Sequence, residues 1–188
     1  VVAIAAPEVH LSHVMFGGNE TELDDDERRV RASLSKQLAA AFESRSVRSV
    51  TLDLSEPGAS AVRKNYQPVF EAISHPAGGR AMIAEPSAYL VGQVRADALV
   101  FADFNGFIRT PGSQAVKYAR DAAIVIATMG LLWVSEPNSR AIMRVTLVDA
   151  KSGEILWENQ KEKEWDYATS YFSDDDLNAM TIQVMGTY

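Results

Sequence analysis

The sequence predicts an α/β (α+β) domain, a mixed sheet covered by helices and finished by a late C-terminal β-hairpin. Three observations carry this. Helical periodicities near 24–43 and 173–184 alternate with extended runs at 50–54, 97–104 and 140–149, the pattern of helices packed on a sheet. Lys151-Ser152-Gly153 joins two extended runs and has glycine where a hairpin connection needs it. Hydrophobic residues make up 47% of the 188, enough for one sizeable core, so a single domain over 1–188 is expected.

Taken in order, residues 2–16 are rich in Val, Ile, Leu and Phe and read as a first strand, ended by Gly17-Gly18-Asn19. Asp24-Asp25-Asp26-Glu27 opens a helix. Acids in a first turn complement the helix dipole, and Asp24 with Glu27 has capping-box spacing. Val30, Leu34, Leu38 and Phe42 then form one apolar face, to about Glu43. Val50, Leu52 and Leu54 alternate with polar residues as a short strand, broken at Glu56-Pro57-Gly58. Residues 59–74 read as an interrupted helix, 75–79 as a loop, and 87–95 as a short helix led by Pro86. The run 97–104 is the best candidate for a central strand, with Asn105-Gly106 and Thr110-Pro111-Gly112 as turns. Residues 113–134 read as a helix. Met143, Val145 and Leu147 mark one face of a strand, and 154–165 is its return partner, polar enough to be an edge. Ser173 before Asp174-Asp175-Asp176 caps a last helix carrying Leu177, Met180, Ile182 and Val184.

Charge excludes several functions. The net charge is −7, and it is uneven: both ends are acidic and the middle is weakly basic. No basic run is present, so neither nucleic acid nor a strongly anionic membrane is an expected partner. With no cysteine, disulfides, thiol catalysis, thiolate zinc sites and iron–sulfur clusters are excluded. The first residues, Val1-Val2-Ala3-Ile4-Ala5-Ala6-Pro7, lack an initiator Met, and a removed upstream segment is expected.

The residues able to carry chemistry have simpler explanations. His10-x-x-His13 with Glu8 nearby offers zinc-type ligands, but on a strand positions 10 and 13 point to opposite faces. Glu8 and His10 share a face, and two ligands are too few. Ser33-x-x-Lys36 has the spacing of a penicillin-recognising motif. It lies mid-helix without that motif's companions and reads as a solvated face. The two Asp triplets lack the alternation, glycine and distant glutamate of a calcium loop. Asn19-Glu20-Thr21 fits a glycosylation sequon. No phosphate-binding glycine loop, nucleophile elbow or zinc-protease motif occurs. No catalytic residue, metal or cofactor is nominated.

The hairpin Leu147-Val148-Asp149-Ala150-Lys151-Ser152-Gly153-Glu154-Ile155-Leu156-Trp157 resembles that of bacterial envelope lipoproteins of the curli-secretion type. It also resembles small lipoproteins similar to the amino domain of the Tol-system β-propeller protein. Arg95-Ala96-Asp97-Ala98-Leu99-Val100-Phe101 matches their strand in the same order, and 24–43 and 47–54 fall where the resemblance expects a helix and a strand. In this motif Asp149 and Gly153 shape a turn and Trp157 anchors the core. The resemblance implies a periplasmic, outer-membrane-anchored lipoprotein held by a lipidated Cys ahead of residue 1. It implies a binding or assembly role without catalysis, the partner being an envelope protein or a second copy.

The stretch 122–134 departs from the simplest members. Its thirteen residues carry no charge, fewer than the roughly 20 of a membrane span. A helix apolar all round is first expected to be core. An oligomer or partner interface and a lipid-contacting surface are the other two readings, with Met129, Leu131, Leu132 and Trp133 as the contact residues. Two alternatives to the binding role follow. One is an enzyme with a site built from Glu8, His10, His13 or His75; the other is a structural homo-oligomer built through 113–134.

Overall fold

The structure, a computed structural model, describes residues 1–15, 20–52, 94–129, 137–165 and 172–186. Seven strands form one mixed sheet: β1 (Val2–Ile4), β2 (Glu8–Val14), β3 (Glu20–Glu22), β4 (Ser49–Thr51), β5 (Ala98–Arg109), β6 (Ser139–Asp149) and β7 (Ile155–Trp165). Among the described residues three helices accompany it: α1 (Asp24–Glu43), α2 (Pro111–Ala127) and α3 (Asp174–Met185). The anticipated helix at 59–74, the loop at 75–79 and the anticipated helix at 87–95, except for Val94 and Arg95, lie outside the described residues.

Strand β5 is the centre. Antiparallel β6 pairs with it from Ala98↔Asp149 to Ile108↔Ser139. On its other flank β1 and β2 run parallel to it in tandem, β1 beside Ala98–Val100 and β2 beside Asp103–Arg109. Strand β4 extends β1, β3 extends β2, and β7 follows β6.

The expected single strand over 2–16 is therefore two. Pro7 has no N–H to give a ladder, and the chain bulges there. Ile4 pairs with Val100 but Glu8 with Asp103, so three residues on one strand oppose two on the other. The extra residue reverses the alternation. Before it Val2 and Ile4 face the main core; after it Val9 and Leu11 do.

Helices α1 and α3 cover one face of the sheet. Val30, Leu34, Leu38 and Phe42 of α1 are fully buried, as the periodicity requires. They meet Leu177, Met180 and Val184 of α3 and the inward side chains Val100, Phe104, Met143 and Val145. Ile182, expected on the apolar face of α3, is exposed; Thr181 and Met185 take the inward positions. Helix α1 begins at Asp24 after Leu23, without a side-chain cap. Glu27 does not close a capping box: its Oε1 accepts the Leu11 N–H at 2.8 Å, tying the first turn to β2.

The cap of α3 is complete. Ser173 Oγ accepts the Asp176 N–H at 3.1 Å, and Asp176 Oδ2 accepts the Ser173 hydroxyl at 2.6 Å. Asp176 Oδ1 also accepts the Trp165 indole N–H at 3.0 Å and the Lys163 ammonium at 3.2 Å, linking α3 to the end of β7. Trp165 is the buried tryptophan of this strand, whereas Trp157 is half-buried against the core.

Asn105-Gly106 is not a turn. It continues β5, because Phe172 needs the space a side chain at 106 would take. A Cβ there would lie 2.7 and 2.9 Å from the Phe172 ring and 3.2 Å from Leu11. Phe172 stacks edge-on against Phe104 at 5.4 Å and tilted against Trp165 at 5.3 Å. Thr110-Pro111 is likewise a helix start: Thr110 Oγ1 accepts the Ser113 N–H, and Pro111 opens α2. The β6–β7 connection is as expected. Asp149 Oδ1 accepts the N–H groups of Lys151 at 2.8 Å and Ser152 at 2.6 Å, and Gly153 takes φ 72°.

Gly106→Ala should destabilise the fold by about 1–3 kcal/mol through overpacking against Phe172, read as a lower urea midpoint at unchanged m. Burial alone would raise the Asp176 pKa, but hydrogen bonds from Ser173, Lys163 and Trp165 outweigh it and hold the carboxyl below the usual Asp range. That stabilisation is present above the ordinary Asp pKa and is lost as pH falls through the lower folded value. Asp176→Asn should thus cost roughly 1–2 kcal/mol at pH 7. The difference from the parent should vanish in strong acid, as followed by Trp fluorescence melts.

Candidate functional site

The second face of the sheet divides along β5. At one end Ala3, Ala5, Leu99, Phe101 and Val148 are buried in a small apolar cluster with Leu52 and Ala96. Past Phe101 the same face turns polar. Strand pairing places the side chains in rows. Glu8, Asp103, Arg144 and Gln160 form the first, His10, Asn105, Ile142 and Glu162 the second, and Ser12, Phe107, Arg140 and Glu164 the third.

These groups bind mainly one another. The Asn105 amide donates to both Asp103 oxygens at 2.8 and 3.0 Å. Arg144 donates to Gln160 Oε1 at 2.8 and 3.1 Å and lies 3.6 Å from Glu158. Arg140 Nε is 2.7 Å from Glu162. Burial pushes the Asp103 carboxyl above its ordinary value, against the opposing pull of His10 and Arg144. Toward the β3 edge the face sinks into an open cup of about 440 Å³, whose lining includes His10, Asn105, Phe107, Arg140, Glu22 and Glu27.

Of the residues the sequence brought forward, Glu8 and His10 share this face, as strand alternation required. His13 lies on the opposite face, paired with Ile108. His75 and the sequon Asn19 are outside the described residues. Ser33 does lie mid-helix, where its hydroxyl donates to Asp174 Oδ1 at 2.8 Å and joins α1 to α3. Asp24-Asp25-Asp26 and Asp174-Asp175-Asp176 occupy first helical turns. Among the described residues no three His, Asp or Glu side chains are grouped to hold a metal. Asp103, Asn105, Arg140, Arg144 and Gln160 were not singled out from sequence. Part of their signal was there, in Asp103-x-Asn105 and in Arg140 and Arg144, four apart on one face of a strand.

The apolar stretch is the main correction. Helix α2 ends at Ala127, and the described part of 122–134 is not core. Ile126 is 77% and Met129 92% exposed. The buried residues of α2 are instead Ser113, Gln114 and Lys117. The Lys117 ammonium is 3.4 Å from Asp121 and 4.7 Å from the Tyr118 ring centre. Lys117 and Asp121 thus face the body, while Arg120, Val116, Tyr118 and Ile126 of this helix, and Met129 just past it, are exposed. Of the expected contact residues Met129 is placed on the surface, with φ 50°, while Leu131, Leu132 and Trp133 lie outside the described residues. No helix among the described residues is long and apolar enough to cross a membrane.

No protein-family model matches this sequence, and no curated protein matches it. Among solved structures it is similar to a crystal structure of the lipoprotein GNA1162 from Neisseria meningitidis. The identity is 11% and the TM-score 0.41, over 99% of this chain and 95% of that one. A likeness at that level leaves the function to the residues of this chain.

The raised Asp103 pKa has a stability consequence of definite sign. Its ionised form is penalised in the folded state, and the penalty is lifted as pH falls through the raised folded value. Asp103→Asn should therefore be at least as stable as the parent at pH 7, with the gap closing on acidification. Thermal melts from pH 7 to 3 check this; a clearly less stable variant at pH 7 would mean that the pairing with Arg144 outweighs burial.

Proposed function

We propose that this chain is a non-catalytic binding or assembly domain of a bacterial envelope lipoprotein, held at the periplasmic side of the outer membrane by a lipidated N-terminal segment. One observation carries the reading. The two segments that resemble such lipoproteins, 95–101 and 147–157, are neighbours in space: Ala98, Leu99 and Val100 pair with Asp149, Val148 and Leu147. The turn residues Asp149 and Gly153 have the roles the resemblance assigns them. The two stretches therefore lie side by side as one structural unit, which supports the reading.

The open sheet face supports binding over catalysis. Arg140 and Arg144 are engaged by Glu162, Gln160 and Glu158, and Asn105 is spent on Asp103. A general base or nucleophile needs a partner converging on a reacting atom. Here the groups are laid out in rows across four strands, a layout suited to a broad polar contact with an envelope protein.

Labelling of the natural full-length product with radioactive palmitate, followed by cell fractionation, tests the assignment. Label on the protein and recovery with the outer membrane are expected. An unlabelled protein in the cytoplasmic fraction would refute it. So would substrate turnover by the pure protein that is lost on His10→Ala.

A further inference from the structure

We infer that the C-terminal half of α2 is a membrane-contacting prong, whose apolar side chains dip into the outer part of an uncharged lipid bilayer. This deepens the lipoprotein reading, since a lipid anchor would hold the domain beside such a surface, and it names what the outward face of α2 meets.

The first argument is the distribution of charge. The charged side chains of α2 are Lys117, Arg120 and Asp121, all in its first eleven residues. Lys117 and Asp121 turn inward, with side chains 3% and 13% exposed, and Arg120 lies 3.4 Å from Asp121. From Ala122 onward no charge occurs on any side. Ala122, Ala123, Ile126, Ala127 and Met129 are all exposed. A water-facing helix end ordinarily has the opposite arrangement.

The second argument is that the one polar side chain of this end does not reach outward. Thr128 folds back on the helix, its hydroxyl donating to the Ile124 carbonyl at 2.8 Å and lying 3.4 Å from the Val125 carbonyl. No polar side chain of residues 122–129 is thus left to hold water against the exposed apolar ones.

Size decides against the other occupants. A helix of 17 residues is about 26 Å long, too short to span a bilayer of about 30 Å but long enough to lie in its surface. Its outward strip offers on the order of 250 Å² to a second copy, against about 800 Å² per partner in a stable complex. A tethered domain needs only a weak contact, because the anchor supplies a high local concentration. The net charge of −7 selects zwitterionic over anionic lipid.

The test uses the unlipidated 188-residue chain with phosphatidylcholine vesicles in a flotation assay at millimolar lipid. The parent should float, and 0.5 M NaCl should not release it. Ile126→Glu and Met129→Glu should each reduce the partition coefficient by about tenfold or more. Both sites are exposed, so the variants should keep the parent's melting transition. Ile182→Glu, at an exposed apolar position on α3, should partition like the parent. Three results would overturn the inference: a parent that stays with the aqueous phase, release by salt, or an equal loss in Ile182→Glu. A parent dimer split by Ile126→Glu would do so too and make a second copy the occupant. Palmitate labelling is independent of these outcomes, so failure of the prong and failure of the lipoprotein assignment are separable.

Discussion

Strand β5 has to satisfy neighbours on both flanks and side-chain environments on both faces at once. Eleven of its twelve residues pair with β6 on one side, and β1 and β2 pair with it in succession on the other. Its inward side chains, Ala98, Val100, Ala102, Phe104 and Ile108, run the length of the core under α1 and α3. Its outward side chains change from Leu99 and Phe101 to Asp103 and Asn105 halfway along. The remaining architecture adjusts to that strand. The bulge at Pro7 lets one chain segment serve both halves of its flank, and Gly106 gives Phe172 room to lock the C-terminal helix over its far end.

This explains what the sequence disclosed and what it hid. The helix at 24–43 was legible, though its cap was not, because Val30, Leu34, Leu38 and Phe42 repeat at the helical period and all four meet the core. The hairpin was legible too, since the geometry at Asp149 and Gly153 is a local matter. The second half of β5 was not. Asn105-Gly106 has the local chemistry of a turn, and only the Phe172 ring, 66 residues onward, makes glycine there a packing requirement. Residues 2–16 were extended as expected, but a one-residue bulge leaves little trace in composition. Helix α2 misled for a deeper reason. Hydrophobicity predicts burial only where a domain has an interior to receive it, and the inward position at α2 was filled by Lys117 and Asp121.

The candidate surfaces follow the same division. The polar rows on the open face could be assembled only after strand register was known, because Glu8, Asp103, Arg144 and Gln160 come from four separate strands. The apolar end of α2 was legible as an oddity, and its exposure changes its meaning. The described residues thus present two unlike surfaces, a sheet face of paired polar groups and a helix end with exposed apolar side chains.

The order of strands in the chain also sets when the sheet can be built. Strands β6 and β7 are neighbours in sequence and in space, and α3 packs on them soon after. Strands β1 and β2 are synthesised first, yet their partner β5 lies about 95 residues downstream. Closing such a separation is slow compared with forming a hairpin. During synthesis or passage across a membrane, β1 and β2 have only their outer neighbours β4 and β3 until β5 emerges, and Val2, Ile4, Val9 and Leu11 wait for the rest of their core. The N-terminal strands are the part of this fold that most needs shelter, and in an exported protein that need would fall on whatever escorts the chain through the envelope.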